Sequence, residues 1–417
     1  MTINDVEAAA LAAVDEAAIG RLLVELLEVP SVTGSAAESE LQHVLAEKLR
    51  RLDLDVDLWS MDLDELRARE DFPGGEAPRT EAWGLVGATK QTDGPTLVLQ
   101  GHVDVVPPGD LAQWRGDPFR PRVEGDVVHG RGACDMKAGV VAILAALAAI
   151  RSVRLQGRLA VHFVVSEEDG GLGAFGTLHR GHTGDACIIT EPTSGALMVA
   201  NAGALTFRIE VPGQATHGST RYAGTSAIDA YLPIHAALAR LEARRNAAPD
   251  PLLSGYPIPY PLSVGTLQAG DWASSVPDLL VAEGRLGVAL GEDPAHARAE
   301  LEACVAEACA ADPWLRAHPA VVTWSGGQFA SGRLPVGHPL ADLVGQAHAD
   351  VTGSARPAER GAPYGSDLRL YAGAGIPTLQ YGPGDVRLAH GPQEQVSVAE
   401  IVTVTQALVL AALRTVG

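Results

Sequence analysis

Three short apolar runs, each stopping on ionisable side chains, constrain this chain more than any other feature. They are "TLVLQGHVD" (Thr96–Asp104), "VHFVVSEED" (Val161–Asp169) and "ACIITEP" (Ala186–Pro192). Their β-branched and aromatic content reads as buried strand. Between the first two lies "GVVAILAALAAI" (Gly139–Ile150), twelve residues that are too few to span a bilayer and suit a core helix. Strands alternating with helices predict an α/β sheet, and ligands of such sheets gather beyond the carboxyl ends of the strands. His102, Asp104, Glu167, Glu168 and Glu191 all fall there.

The rest of the chain extends this pattern. Apolar positions at helical period predict helices over Val14–Leu27, Ser39–Leu52, Met136–Ile150 and Val398–Leu413, and "IPTLQYGPG" reads as one more strand. The stretch from Trp59 to Thr89, with "EDFPGGEAPRTEAWG", reads as an irregular excursion. From Ala204 the texture changes to alternating strands with helices at Ser226–Arg245 and Pro294–Ala311. At 417 residues the chain exceeds one ordinary core. We expect an α/β domain from 1–202 and 324–417, with a small α+β domain, 203–323, inserted in it.

Fifty-one acids against 31 bases leave a net charge of −20, which argues against nucleic acid or an anionic membrane as partner. Four cysteines without a CxxC pair suit a reducing compartment. The acidic, alanine-rich start lacks the features of a signal peptide, so a cytoplasmic location is expected.

Adjacent carboxylates such as Glu167 and Glu168 repel one another, and burying them requires a compensating cation. His102 and Asp104 form an H-x-D whose side chains share one face of an extended segment, so His102 can ligate a metal while Asp104 orients it. Asp135 in "GRGACDMKAG", Glu191 in "ITEP" and His390 in "RLAHGP" complete a set of imidazoles and carboxylates suited to zinc, with cobalt or manganese as substitutes. Within it Glu168 would bind metal and Glu167 would act as general base on a water. Singly, each residue has an ordinary explanation: a surface turn, a solvated strand end, a helix cap. Their coincidence at successive strand ends does not.

"GHVDVVPPG", "GRGACDMKAG", "SEEDGGLG", "TEP" and "GPGDVRLAHGPQEQVSV", in that order, resemble the co-catalytic zinc metallopeptidase family. The nearest branch is that of the acetylornithine deacetylases and succinyl-diaminopimelate desuccinylases. The resemblance implies a mixed-sheet, zinc-exopeptidase-like α/β catalytic domain with an inserted α+β dimerisation or lid domain, and a homodimer. It implies two divalent ions: His102 and Glu191 on one, Glu168 and His390 on the other, and Asp135 bridging. Asp104 would support His102, Glu167 would be the base, and His217 of "GQATHGS" would reach the oxyanion from the neighbouring subunit. By its own residues His217 reads more simply as the cap of a turn. Glutamate at position 191 resembles the N-acyl-amino-acid deacylases, which implies hydrolysis of a small N-acylated substrate. A metallo-carboxypeptidase or dipeptidase, or a metal-binding member without turnover, are the alternatives.

The substrate end departs from the pattern. Ser274 or Ser275 stands where asparagine is usual, and Gly287 stands where arginine is usual. Arg285, two residues earlier, shares that strand face and is the candidate for a substrate carboxylate, beside Gly365 and Ser366 of "GAPYGSDLRL". The excursion "DFPGGEAPRTEAWGLVGATK" (71–90) resembles less-characterised deacylase-like members, which leaves a different N-acyl or N-formyl amine open.

Overall fold

In the computed structural model, which describes residues 3–90 and 92–417, the three apolar runs become neighbouring parallel strands. Thr96–His102 lies between Arg158–Val164 and Ala186–Ile189, with His102 opposite Val164 and Gln100 opposite Ile189. That register brings His102, Glu167 and Glu191 to one edge. Thr378–Gln380 continues the sheet in parallel beyond Ala186–Ile189. On the other side Trp83–Ala88 and Asp55–Ser60 are added antiparallel, so the sheet is mixed. Helix Ala138–Ile150 is apolar on nearly every face and correspondingly buried. It packs against the closing helix Val398–Val416. Only when the irregular turn before it is counted, as Ala133–Ile150, does the first helix reach the length and hydropathy of a membrane span, which Val398–Val416 has by itself, and 78% and 61% of these two stretches lie inside the protein. Gly139 sits so close to the sheet that a Cβ would stand 2.2 Å from the Thr190 carbonyl oxygen, so only glycine lets the helix seat beside Glu191.

These elements belong to a unit comprising the chain up to Ala200 together with Arg333–Arg360 and Asp367–Gly417. The second unit holds Asn201–Gly332 and Gly361–Ser366. Its antiparallel sheet runs in the order Leu262–Ala269, Leu279–Val288, Gly203–Pro212, Val321–Phe329. Gly203–Pro212 alternates between buried and half-buried residues as a strand with one covered face does. Helices Ala227–Arg245 and Pro294–Ala311 cover that face through Ile234, Leu238, Leu241, Leu301 and Val305.

The excursion is more ordered than its composition predicts. It contains the helix Leu63–Arg67 and the strand Trp83–Ala88. Gly84 and Gly87 hide that strand from a propensity reading, because the Trp59 ring and Leu49 occupy the space their side chains would fill. The helix expected from Met136 begins at Ala138, after an irregular turn, Ala133–Lys137.

His162, 1% exposed in the strand Arg158–Val164, shares a 2.9 Å hydrogen bond between Nδ1 and the Tyr371 hydroxyl. Burial, then the charges of His182 and Arg158, lower its pKa to about 3, against about 6.5 when unfolded. Its contribution to stability is therefore complete above about pH 6.5 and is lost progressively towards pH 3. Urea unfolding at pH 7 and pH 5 is expected to show a drop of which about 2 kcal/mol disappears in a His162→Asn protein. An equal drop in both proteins would remove His162 as its source.

Candidate active site

His102 is 1% exposed, and its Nδ1 lies 3.0 Å from the Asp104 carbonyl oxygen and 3.6 Å from the Asp104 carboxylate. Donation from Nδ1 to that carbonyl leaves the Nε2 lone pair facing Asp135 Oδ1 at 3.1 Å and Glu191 Oε2 at 3.8 Å. Asp104 thus supports the imidazole from behind through its carbonyl, the closer contact, with its carboxylate alongside. The carboxylate also caps the glutamate turn. Oδ1 accepts from the Glu167 N–H and Oδ2 from the Glu168 N–H, both at 3.2 Å, and the Thr33 hydroxyl donates to Oδ2 at 3.0 Å.

Asp135 lies in the irregular turn with extended dihedrals, φ −118° and ψ 97°. The N–H groups of Cys134 and Asp135 donate to Glu394 Oε1 at 3.1 and 3.2 Å, and Arg131 holds the other Glu394 oxygen at 2.5 Å. The strand Gln395–Ser397 pairs with Val127–His129 and anchors the chain just beyond His390. His390 adopts a left-handed φ of 62°, and its Nε2 stands 3.1 Å from Glu168 Oε2 and 3.5 Å from Asp135 Oδ2. Asp135 thus turns one oxygen to each imidazole.

The electrostatics call for positive charge. Burial, reinforced by neighbouring carboxylates, raises the pKa of Glu167, Glu168 and Glu191. Asp135 moves the other way: although burial opposes it, bonding to His102 and His390 holds its carboxyl well below the usual range. Bonding to Asp135 and Glu168 in turn raises His390 to about 10. Glu168 Oε1 is buried without a hydrogen-bond partner. Ligand atoms of His102, Asp135 and Glu168, and separately of His102, Glu167 and Glu191, lie within 4.8 Å of one another. Buried carboxylates around an orphaned oxygen and an imidazole lone pair fit divalent cations. Proximity alone does not distinguish Glu167 from the ligands, since it too reaches the His102–Glu191 group.

Four further candidates lie in the second unit. His217 is exposed, with Nδ1 2.8 Å from the Ser219 hydroxyl and accepting the Ser219 N–H at 3.2 Å, so within this chain it caps the turn Gly218–Ala223. Arg285 donates from Nη2 to the Pro363 carbonyl at 3.0 Å, while its Nε is buried without a partner. Its guanidinium therefore braces the Gly361–Ser366 return segment. Ser366 is 1% exposed in that segment, and a Cβ on Gly365 would stand 2.4 Å from that of Phe329. Glu394, Arg131 and Thr33 escaped the sequence reading. The first two lie inside quoted motifs, but their charges read as surface until the fold pairs them.

Fold and donor cluster together define a metal-dependent hydrolase. The model of peptidase family M20/M25/M40 matches residues 98–414, and the chain belongs to that family. Among its relatives is the N-formyl-4-amino-5-aminomethyl-2-methylpyrimidine deformylase of Bacillus subtilis, 28% identical over 88% of this chain and 87% of that one. A succinyl-diaminopimelate desuccinylase of Variovorax paradoxus is also 28% identical, over 92% and 94%. The structure of human carnosine dipeptidase 1 shares the fold, with a TM-score of 0.76, 14% identity and 99% of each chain covered.

Proposed function

We propose that this chain is a deacylase that hydrolyses the amide of a small N-acylated or N-formylated amine in the cytoplasm. The observation that carries the reading is Asp135 set between two imidazoles with Glu167 buried beside them. Two divalent ions, zinc by the mixed N/O donors, would be held by His102 and Glu191, by Glu168 and His390, and by Asp135 in common, and would supply Lewis-acid polarisation of the scissile carbonyl. Glu167 takes a proton on its carboxylate from the attacking water as the new C–O bond forms. It returns that proton to the amine nitrogen as the C–N bond breaks. His217 of a second copy would donate to the developing oxyanion.

Deacylation is favoured over peptide hydrolysis by Glu191 and by the named activities of the two full-length relatives. A homodimer through the second unit is supported by Tyr222, Leu232 and Trp272, exposed by 87%, 59% and 74%, and by the open edge of the Leu262–Ala269 strand.

The test is amine release by zinc-reconstituted protein from formyl-, acetyl- and succinyl-amines, the formylated aminopyrimidine included, with dipeptides alongside. We expect an N-acyl compound to be preferred over every dipeptide. Cleavage confined to dipeptides would overturn the reading.

A further inference from the structure

The excursion ahead of Trp83 carries a buried cation that the proposed chemistry does not use. Arg79 has a side chain 2% exposed and donates from Nη1 to Glu38 Oε2 at 3.0 Å and from Nη2 to Asp169 Oδ1 at 3.3 Å. Both acceptors lead to the glutamate turn. Glu38 Oε1 accepts the Ser166 N–H at 2.9 Å, and Asp169 Oδ1 accepts the Ser166 hydroxyl. Asp169 Oδ2 accepts the N–H groups of Glu76 and Ala77 at 3.1 and 2.8 Å, closing the network on the segment that carries Arg79. Ser166, the residue before Glu167, is held at φ 63°, a left-handed conformation that a side-chain-bearing residue seldom adopts. On the far side of the turn Arg369 Nη2 donates to the Gly170 carbonyl at 2.6 Å.

We propose that Arg79 is a positioning residue for Glu167: through Glu38 and Asp169 it locks Ser166 in the conformation that sets the direction of the catalytic glutamate. Buried ion networks add little net stability over apolar packing of the same volume. The distinctive effect of this one is expected in geometry, where a displacement of about 1 Å can cost about 10²-fold in rate. The excursion then has a task in the active site without touching substrate. The inference rests on Glu167 being the base, so the test separates the two.

Hydrogen exchange, read by mass spectrometry on peptides covering Val161–Gly173, is compared in the zinc-loaded protein and in Arg79→Met and Arg79→Lys variants, with kcat and KM measured on the same preparations. In Arg79→Met the turn amides are expected to exchange at least about tenfold faster, with kcat reduced about 10–100-fold and KM within about twofold. Arg79→Lys keeps the charge but lacks the planar fork that reaches both carboxylates, and is expected to fall between. Should the methionine variant fail to fold, the lysine variant decides alone by the same two readouts. Unchanged exchange in the turn, or a uniform rise across the whole first unit, overturns the proposal. An active Glu167→Gln enzyme would overturn the base assignment and leave the exchange data to decide whether Arg79 holds the turn.

Discussion

A Glu167→Gln enzyme is expected to turn over about 10²–10⁴-fold more slowly than the unaltered chain, the range that a positioned general base contributes. The amide matches the carboxylate in size but accepts no proton from water. Local structure is expected to survive, because the turn is held by the backbone N–H groups of Glu167 and Glu168 on Asp104 and not by the Glu167 side chain. Metal content is expected to hold as well, since the substitution removes one negative charge from a crowded carboxylate cluster and leaves His102, Asp135, Glu168, Glu191 and His390 in place. Metal analysis and kcat on one preparation check both points. A variant that binds metal normally and keeps a tenth or more of the activity would place the base elsewhere.

The reason Glu167 could be singled out in the sequence is local. A β-rich run that ends in paired acids is an electrostatic anomaly wherever it occurs, and the parallel register that joins Glu167 to His102 and Glu191 follows from strands alternating with helices. What escaped the reading depends on distant partners. Glu394 and Arg131 are separated by 263 residues and meet only after the sheet has formed. Glu38 sits in the first turn of a helix, where an acid is ordinary. Nothing nearby indicates that it is 1% exposed and paired with Arg79. The two uses of Asp104 follow a similar logic, since an H-x-D places its carboxylate near the imidazole but not against the amides of a turn 63 residues away. Gly361–Ser366 belongs to the second unit although the sequence on both sides of it belongs to the first. No periodic signal in six residues marks such an exchange.

Asp135→Asn is the second substitution with a large expected effect, and it tests whether the site holds a pair of ions or two independent ones. The carboxylate presents Oδ1 to His102 at 3.1 Å and Oδ2 to His390 at 3.5 Å. Asparagine keeps the shape but replaces one of those oxygens with an amide nitrogen that cannot ligate, so at most one side remains served. Metal per chain is expected to fall from two to one or less, with activity lower by about 10³-fold, as the loss of several kcal/mol of carbonyl polarisation implies. Glu191→Gln supplies the contrast. In the proposed ligand set Glu191 serves only one ion, so the Glu168–His390–Asp135 side is expected to retain its metal. Retention of two ions by Asp135→Asn would show that the ions do not depend on a shared carboxylate. With the remaining oxygen on the His390 side, the donors left to the His102 side are Glu191 and Glu167, and loss of an ion from Glu167→Gln as well would make Glu167 a ligand. Metal analysis of the two variants side by side separates these assignments.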